Sequence, residues 1–98
     1  MITRVVKLTF KHEHVNDFFE IFNNSKEKIR SFDGCKHLEL LQQLNSGNVF
    51  FTYSKWEDQT SFDKYRNSTL FRKTWAETKS LFAEKAEAWS LDQIHKSE

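Results

Sequence analysis

The chain has 98 residues and a mass of 11.8 kDa, the size of one small domain, so we expect a single domain over residues 1–98. Its 15 Lys and Arg almost balance its 14 Asp and Glu, and this argues against a nucleic-acid partner, which normally requires a basic excess. Proline is absent, there are two glycines, and Cys35 is the one cysteine. This composition excludes a collagen-like chain, a glycine-rich phosphate loop, an internal disulfide and a multi-cysteine metal site.

The first ten residues alternate between apolar and polar side chains, with Ile2, Val6 and Leu8 on one side. This period of two predicts a β-strand over residues 2–10. A signal peptide needs an unbroken apolar run of about 7–15 residues, a membrane span needs about 20, and the sequence contains neither. We therefore expect a cytoplasmic protein with no membrane partner, and one unpaired thiol fits a reducing compartment.

The apolar spacing becomes that of a helix at Val15 and stays so to Phe32. Acidic residues lie early in this segment and basic residues lie late, which suits the helix dipole. We place the end of the helix at Asp33-Gly34, because Gly34 can adopt the positive φ that follows many helices.

Two strands joined by a hairpin are predicted next. Residues 35–44 are extended in character, and the four turn-forming residues 45–48 predict the hairpin. Residues 49–56 have the strongest strand pattern in the chain and are rich in aromatic side chains.

The last third of the chain predicts two helices and a strand. Residues 60–66 predict a short helix, and Asn67 or Ser68 can cap a longer helix whose apolar face consists of Phe71, Trp75, Thr78 and Phe82. Residues 85–91 predict a strand. The resulting order β-α-β-β-α-β is that of the ferredoxin-like fold, an α+β fold with a four-stranded antiparallel sheet and helices on one face.

Neither face of this sheet is polar. The even-numbered face becomes small or hydroxylated in the later strands, which leaves room for large helix side chains or for a cavity, so we assign it to the helices. The odd-numbered face is too apolar to meet water, and we expect it to pack on a second copy across a two-fold axis. Alternatively, β-bulges could break the alternation, so that even-numbered and odd-numbered residues would share the same face of the sheet. The odd-numbered set is Val5, Leu41, Val49, Phe51, Tyr53, Trp89 and Leu91.

Aromatic residues make up 15% of the chain, although all hydrophobic residues together make up only 38%. A set of aromatic residues of this size usually forms a core. However, buried Trp and Tyr need polar partners, and the helical pattern is interrupted at residues 66–68. These features favour a pocket for a flat aromatic ligand held by few hydrogen bonds. The candidate residues are Thr52, Trp56, Tyr65, Phe71, Trp75 and Phe82, with Arg4 and Arg66 nearby.

The histidines and the cysteine offer little chemistry. His12 and His14 lie in a polar segment, and His95 lies in the polar tail. His37 falls on the odd-numbered face near the expected dimer seam, where a structural hydrogen bond is the simpler interpretation. Cys35 follows the helix-ending glycine and is best interpreted as a small buried thiol.

Taken together, the chain resembles the antibiotic biosynthesis monooxygenase family over nearly its whole length. The resemblance rests on the order and spacing of four segments: Lys7-Leu8-Thr9-Phe10, Phe32-Asp33-Gly34-Cys35 leading into Leu38-Glu39-Leu40-Leu41, Phe51-Thr52-Tyr53-Ser54-Lys55-Trp56-Glu57, and Tyr65-Arg66-Asn67-Ser68-Thr69-Leu70-Phe71. It implies a homodimeric α+β barrel with one pocket per subunit between sheet and helices.

Some members of this family oxidise aromatic phenols or quinols with dioxygen and without a cofactor. In those members an Asn on the third strand and a Trp four residues later line the pocket, and the matching positions here are Thr52 and Trp56. Many members carry a His before the Phe of the long helix, where this chain has Leu70. Haem-degrading members use Asn, Trp and His at positions that hold Val6, Tyr65 and Trp75 here, so we expect no haem, other cofactor or metal.

Two functions stay open at this point. The first is a cofactor-independent monooxygenase for a small aromatic or quinol-like substrate, in which Trp56 and Thr52 are catalytic and four residues bind substrate: Tyr65, Arg66, Phe71 and Trp75. The second is a non-catalytic dimer that binds a small molecule or packs its aromatic residues as core, which the lack of an acid–base residue favours. Pocket volume separates them, since a cavity below a few hundred cubic ångströms would not hold a bicyclic substrate.

Overall fold

The computed structural model describes all 98 residues. The elements are β1 (Ile2–Thr9), α1 (Val15–Arg30), β2 (Cys35–Gln42), β3 (Val49–Trp56), α2 (Gln59–Arg66), α3 (Thr69–Lys79) and β4 (Glu87–Asp92), with a 3-10 turn at His12–His14 before α1. The strands form one sheet in the order β2-β3-β1-β4, and all three neighbouring pairs are antiparallel. This is the ferredoxin-like α+β fold that the sequence predicted.

The register of the sheet places the small even-numbered residues opposite one another. Val6 pairs with Thr52 on one side and with Ala88 on the other. These residues line the space beneath the helices, so the assignment of the even-numbered face to the helices is confirmed.

A β-bulge interrupts the pairing of β2 with β3 between Cys35 and His37. Cys35 pairs with Trp56 and is buried beneath the helices despite its odd number, whereas His37 pairs with Lys55 on the opposite face. The bulge therefore changes the face of Cys35 alone and leaves the rest of the alternation intact.

Two apolar clusters fill the space between the sheet and the helices. One contains the buried residues Leu8, Phe10, Phe18 and Phe50, with the rings of Phe10 and Phe18 stacked at 4.2 Å. The other contains Ile29, Cys35, Trp56, Phe62 and Tyr65. The sheet and the helices both supply large side chains to these clusters, and the three largest fully buried ones, Phe10, Phe50 and Trp56, come from the strands and the end of β1.

The helix ends follow local signals. Asp58 caps α2, its carboxylate accepting from the backbone N–H of Ser61 at 2.8 Å, and Ser68 caps α3 by accepting from Phe71 N–H at 3.1 Å. The capping interaction holds the pKa of Asp58 below its usual value. Gly34 has the predicted positive φ, 88°, but the predicted helix end at Asp33-Gly34 was wrong, because α1 ends at Arg30 and Ser31 is its C-cap.

The predicted extent of α3 was wrong at its end. The helix stops at Lys79, and Phe82 lies outside it in an isolated bridge with Phe10. The reason is tertiary: the backbone N–H of Ala83 donates to Thr9 at 2.9 Å, so this segment pairs with the end of β1 instead of continuing as helix. The last strand accordingly begins at Glu87, two residues later than predicted.

The odd-numbered face of the sheet carries no helix. Three of its large apolar side chains are exposed, Leu41 by 45%, Trp89 by 44% and Leu91 by 49%. None of the helices combines the length and apolar character that crossing a membrane requires.

Candidate functional site

A cavity of about 300 Å³ lies between the sheet and the three helices. Fourteen of the 21 residues that line it are hydrophobic, and none is Asp, Glu, His, Lys or Cys. The volume is at the lower end of the range for small-molecule sites, about 300–1,000 Å³, and it is sufficient for a compact aromatic ligand.

The structure brings all six predicted site residues to this cavity: Thr52, Trp56, Tyr65, Arg66, Phe71 and Trp75. Arg4 lines it too. Phe82 does not, because it packs on Phe10 beyond the end of α3. Leu70 also lies outside the lining and packs against the cluster around Trp56.

Trp56 is one of the lining residues and has no exposed surface. Its indole N–H donates to the Ser54 hydroxyl at 3.0 Å, which satisfies the polar tip. One ring face stacks on Tyr65 with the centroids 4.7 Å apart. Trp56 therefore supports the position of Tyr65 and offers neither a free donor nor an open ring face.

Three residues of the lining, Thr52, Tyr65 and Thr74, have hydroxyls that form no hydrogen bond within the chain. None of these hydroxyls is completely buried. Burial, with a smaller contribution from Cys35, raises the pKa of the Tyr65 phenol far above its ordinary value. Tyr65 thus stays protonated and can donate a hydrogen bond to a ligand oxygen, but it cannot act as a base.

Phe71 and Trp75 form an aromatic wall on α3. Their rings are nearly parallel, at 9° with centroids 5.9 Å apart, because residues four apart share one helix face. Both are half-buried, so unlike Trp56 they keep ring surface available to a ligand.

Two arginines lie at the mouth of the cavity. Of the lining residues, Arg66 at the end of α2 and Ala88 on β4 are the exposed ones, and from this exposure we infer that the cavity opens beside them. Arg4 lies on the adjoining strand, where its guanidinium donates to Ser90 Oγ at 3.0 Å. The cavity therefore has an apolar interior and a cationic mouth.

Two groups of lining residues were not predicted from the sequence: residues of α1 and two threonines of α3. Phe18, Phe22 and Ile29 were assigned to core or helix face alone, yet they also line the cavity. Thr74 and Thr78 line it from α3, and their spacing of four residues beside Phe71 and Trp75 was a usable signal.

The histidines and Cys35, which offered little chemistry in the sequence, lie outside the cavity. Burial raises the pKa of the Cys35 thiol, so it is a poor nucleophile. His37 is a partner of Glu39 on the helix-free face and meets the ring of Tyr53 edge-on, with centroids 5.8 Å apart.

The fold and cavity define a small ferredoxin-like domain with an aromatic pocket between sheet and helices. Residues 1–77 match the sequence profile of the family described as antibiotic biosynthesis monooxygenase. Because the match covers most of the chain, the protein belongs to this family. Among curated proteins, no sequence matches it significantly.

Solved structures agree on the fold. A conserved protein from Methanosarcina mazei Go1 superimposes with a TM-score of 0.87 at 22% identity, over 93% of this chain and 91% of that chain. The structure of an antibiotic biosynthesis monooxygenase superimposes with a TM-score of 0.91 at 15% identity, over 97% of this chain and 100% of that chain. A mutant form of SnoaB, a cofactor-independent oxygenase from Streptomyces nogalater, superimposes with a TM-score of 0.84. The two chains are 15% identical, and the match covers 97% of this chain and 94% of that chain. At such identities the likeness establishes the fold alone.

Proposed function

We propose that the protein is a cofactor-independent monooxygenase that oxidises a small aromatic or quinol-like substrate with dioxygen. The observation that carries the proposal is the aromatic cavity, whose lining includes hydroxyls free to bind a ligand, among them those of Tyr65 and Thr52, in a chain of the antibiotic biosynthesis monooxygenase family. The similarity of fold to SnoaB, a cofactor-independent oxygenase, supports the reaction class.

The proposed reaction balances without an external reductant. A ring CH₂ next to a carbonyl loses a proton, and the resulting carbanion reduces dioxygen and forms a C–O bond, giving a peroxide after protonation. Loss of water from this peroxide leaves a carbonyl, so one CH₂ and one O₂ become one C=O and one H₂O. The protein has to bind the substrate, stabilise its anion and exclude water.

In this proposal the residues have distinct parts. The wall of Phe71 and Trp75 stacks on the substrate ring, and the hydroxyls of Tyr65 and Thr52 donate to its oxygens. Trp56 is a positioning residue that holds Tyr65 by stacking. Because no lining residue is a base at neutral pH, the substrate must ionise readily or be stabilised as an anion by Arg66.

Oxygen uptake tests the proposal. Anthrones and hydroquinones are incubated with the protein while dissolved dioxygen is followed, and at least one is expected to react faster than without protein. Trp75→Ala and Tyr65→Phe are expected to lower the rate about fivefold or more, since stacking and one hydrogen bond each contribute about 1 kcal/mol or more. Lys79→Ala, at the exposed end of α3, is the control variant.

No uptake above background for any substrate would favour the second candidate, a non-catalytic protein that binds a small molecule in the same cavity. The absence of a carboxylate or histidine from the lining is the observation behind this alternative. Retained aromatic binding without oxygen consumption is its signature.

We also propose a homodimer formed through the helix-free face of the sheet. The exposed Leu41, Trp89 and Leu91 lie on this face, on the two edge strands β2 and β4, and exposed large apolar side chains on a helix-free sheet face favour an interface. A cytoplasmic location is proposed as well, supported by the single free thiol.

Sedimentation at micromolar concentration is expected to give a dimer. Replacing both Trp89 and Leu91 by serine is expected to raise the dissociation constant at least tenfold, because buried aromatic anchors contribute about 2 kcal/mol or more to an interface. Leu44→Ser, at a residue 87% exposed and outside the strands, is the matched control. A monomeric parent protein, or a double variant that remains as dimeric as the parent, would refute this interface.

A further inference from the structure

We propose that the substrate carries an oxyanion on its aromatic ring, and that Arg4 and Arg66 together bind this oxyanion at the mouth of the cavity. The inference rests on the proposed function, because it names the substrate class of the same cavity. It adds a charge requirement that neither the apolar interior nor the family assignment contains.

The two arginines converge from opposite layers of the fold. Arg4 belongs to β1 in the sheet and Arg66 is the last residue of α2 above it, yet both line one cavity. Arg66 is exposed and Arg4 is half-buried, so one guanidinium lies at the rim and the other lies further in.

Neither guanidinium has a carboxylate partner. The two ion pairs in the structure both join a histidine to a carboxylate, and no Asp or Glu lines the cavity. Asp63, one turn before Arg66, accepts instead from Gln59 Nε2 at 2.9 Å. The mouth thus holds two positive charges with no neutralising group.

This arrangement has an energetic consequence. Burial and then the charge of Arg66 lower the pKa of Arg4, which shows that the two groups repel each other. Two like charges brought together at a partly dry site lower stability, and an anion between them would reverse the sign of that interaction. The pair is therefore better suited to a bound anion than to solvent.

The side chain of Arg4 is already oriented for this purpose. Its Nη1 donates to Ser90 Oγ at 3.0 Å, and its guanidinium carbon lies 5.1 Å from the centre of the Phe62 ring. The hydrogen bond to Ser90 uses one of five N–H donors and leaves the others for an oxyanion. A planar ligand would place its ring against Trp75 and its oxyanion outward.

Binding of matched aromatic probes tests the inference. Tryptophan fluorescence of the full-length protein is titrated with naphthoate and its neutral isostere naphthamide, and with the smaller pair benzoate and benzamide. At least one carboxylate is expected to bind about tenfold more tightly than its amide, because charge-assisted hydrogen bonds are about twice as strong as neutral ones. The preference should weaken as salt is raised.

Variants assign the preference to the two arginines. Arg66→Gln and Arg4→Gln are each expected to reduce the preference for the carboxylate over the amide severalfold. The double variant is expected to abolish this preference, with the affinity for the amide unchanged. Arg66→Lys should restore part of it, and Arg72→Gln, at an exposed arginine of α3 outside the cavity, should leave it intact. Because Arg66 is exposed, Arg66→Gln remains informative even if Arg4→Gln unfolds.

A second arm distinguishes a carboxylate substituent from an ionised phenol. The absorbance of bound naphthol reports its ionisation, and a lowered apparent pKa that Arg66→Gln reverses indicates the phenolate. The inference is overturned if neither carboxylate binds more tightly than its amide and the apparent pKa of bound naphthol is unchanged. It is also overturned if the preference for the carboxylate survives in the double variant. Since these are binding measurements, failed oxygen uptake with an intact preference removes only the proposed reaction.

Discussion

Trp56→Ala is expected to lower the free energy of unfolding by about 3–5 kcal/mol, the range for truncating a large buried aromatic side chain. Trp56 has no exposed surface, stacks on Tyr65 at 4.7 Å and meets Phe62 edge-on at 5.7 Å. Its loss leaves a void between β3 and α2 that the surrounding rings can fill only in part. Urea unfolding followed by circular dichroism measures the change.

Two further variants separate packing from hydrogen bonding at this position. Ser54→Ala keeps the ring and leaves the buried indole N–H without its acceptor, for an expected loss of about 1–3 kcal/mol. Trp56→Phe keeps a smaller ring without a donor and should fall between Ser54→Ala and Trp56→Ala. A loss below about 1 kcal/mol for Trp56→Ala would contradict the buried packing, because it is less than the usual cost of such a cavity.

Gly34→Ala is expected to lower the free energy of unfolding by about 2–5 kcal/mol, combining a left-handed backbone penalty of about 1–2 kcal/mol with an overpacking penalty of about 1–3 kcal/mol. Gly34 has a φ of 88°, and a Cβ there would lie 2.3 Å from both Cβ and Oγ of Ser61. Since Ser61 belongs to the first turn of α2, the helix itself would have to move. Thermal or urea unfolding measures the loss.

The chain offers a matched control and a rescue for this prediction. Gly47→Ala should change stability by less than about 0.5 kcal/mol, because nothing lies closer than 3.8 Å to the added Cβ. In the background of Gly34→Ala, Ser61→Gly removes the clashing atoms and should recover the steric part of the loss, whereas Ser61→Ala should not. Equal losses at Gly34 and Gly47 would refute the argument.

Much of the architecture was predictable because its signals are local. The period-two alternation of residues 2–10 and 49–56 specified which side chains lie beneath the helices, since successive strand residues point to opposite faces. Ser68 marked the start of α3 through its cap, and Gly34 marked a left-handed backbone position in the turn after α1, and both signals depend only on adjacent residues. The six predicted site residues lie on one cavity for the same reason, because each belongs to a face that periodicity assigns.

Long-range contacts decided the remainder. Phe82 left the predicted helix because its segment pairs with the end of β1, and Cys35 changed face because of a bulge against β3. Neither event has a signal in the neighbouring residues.

The sequence by itself determined the order of elements, the two sheet faces and an aromatic, nearly uncharged interior. Only the tertiary structure decided that Trp56 is fully buried and stacked on Tyr65, that a cavity of about 300 Å³ remains, and that Arg4 and Arg66 both line this cavity without a counter-ion. The physical reason is that local pattern specifies a direction for each side chain. A void and a pair of facing charges depend instead on the volumes and reach of side chains from several elements at once.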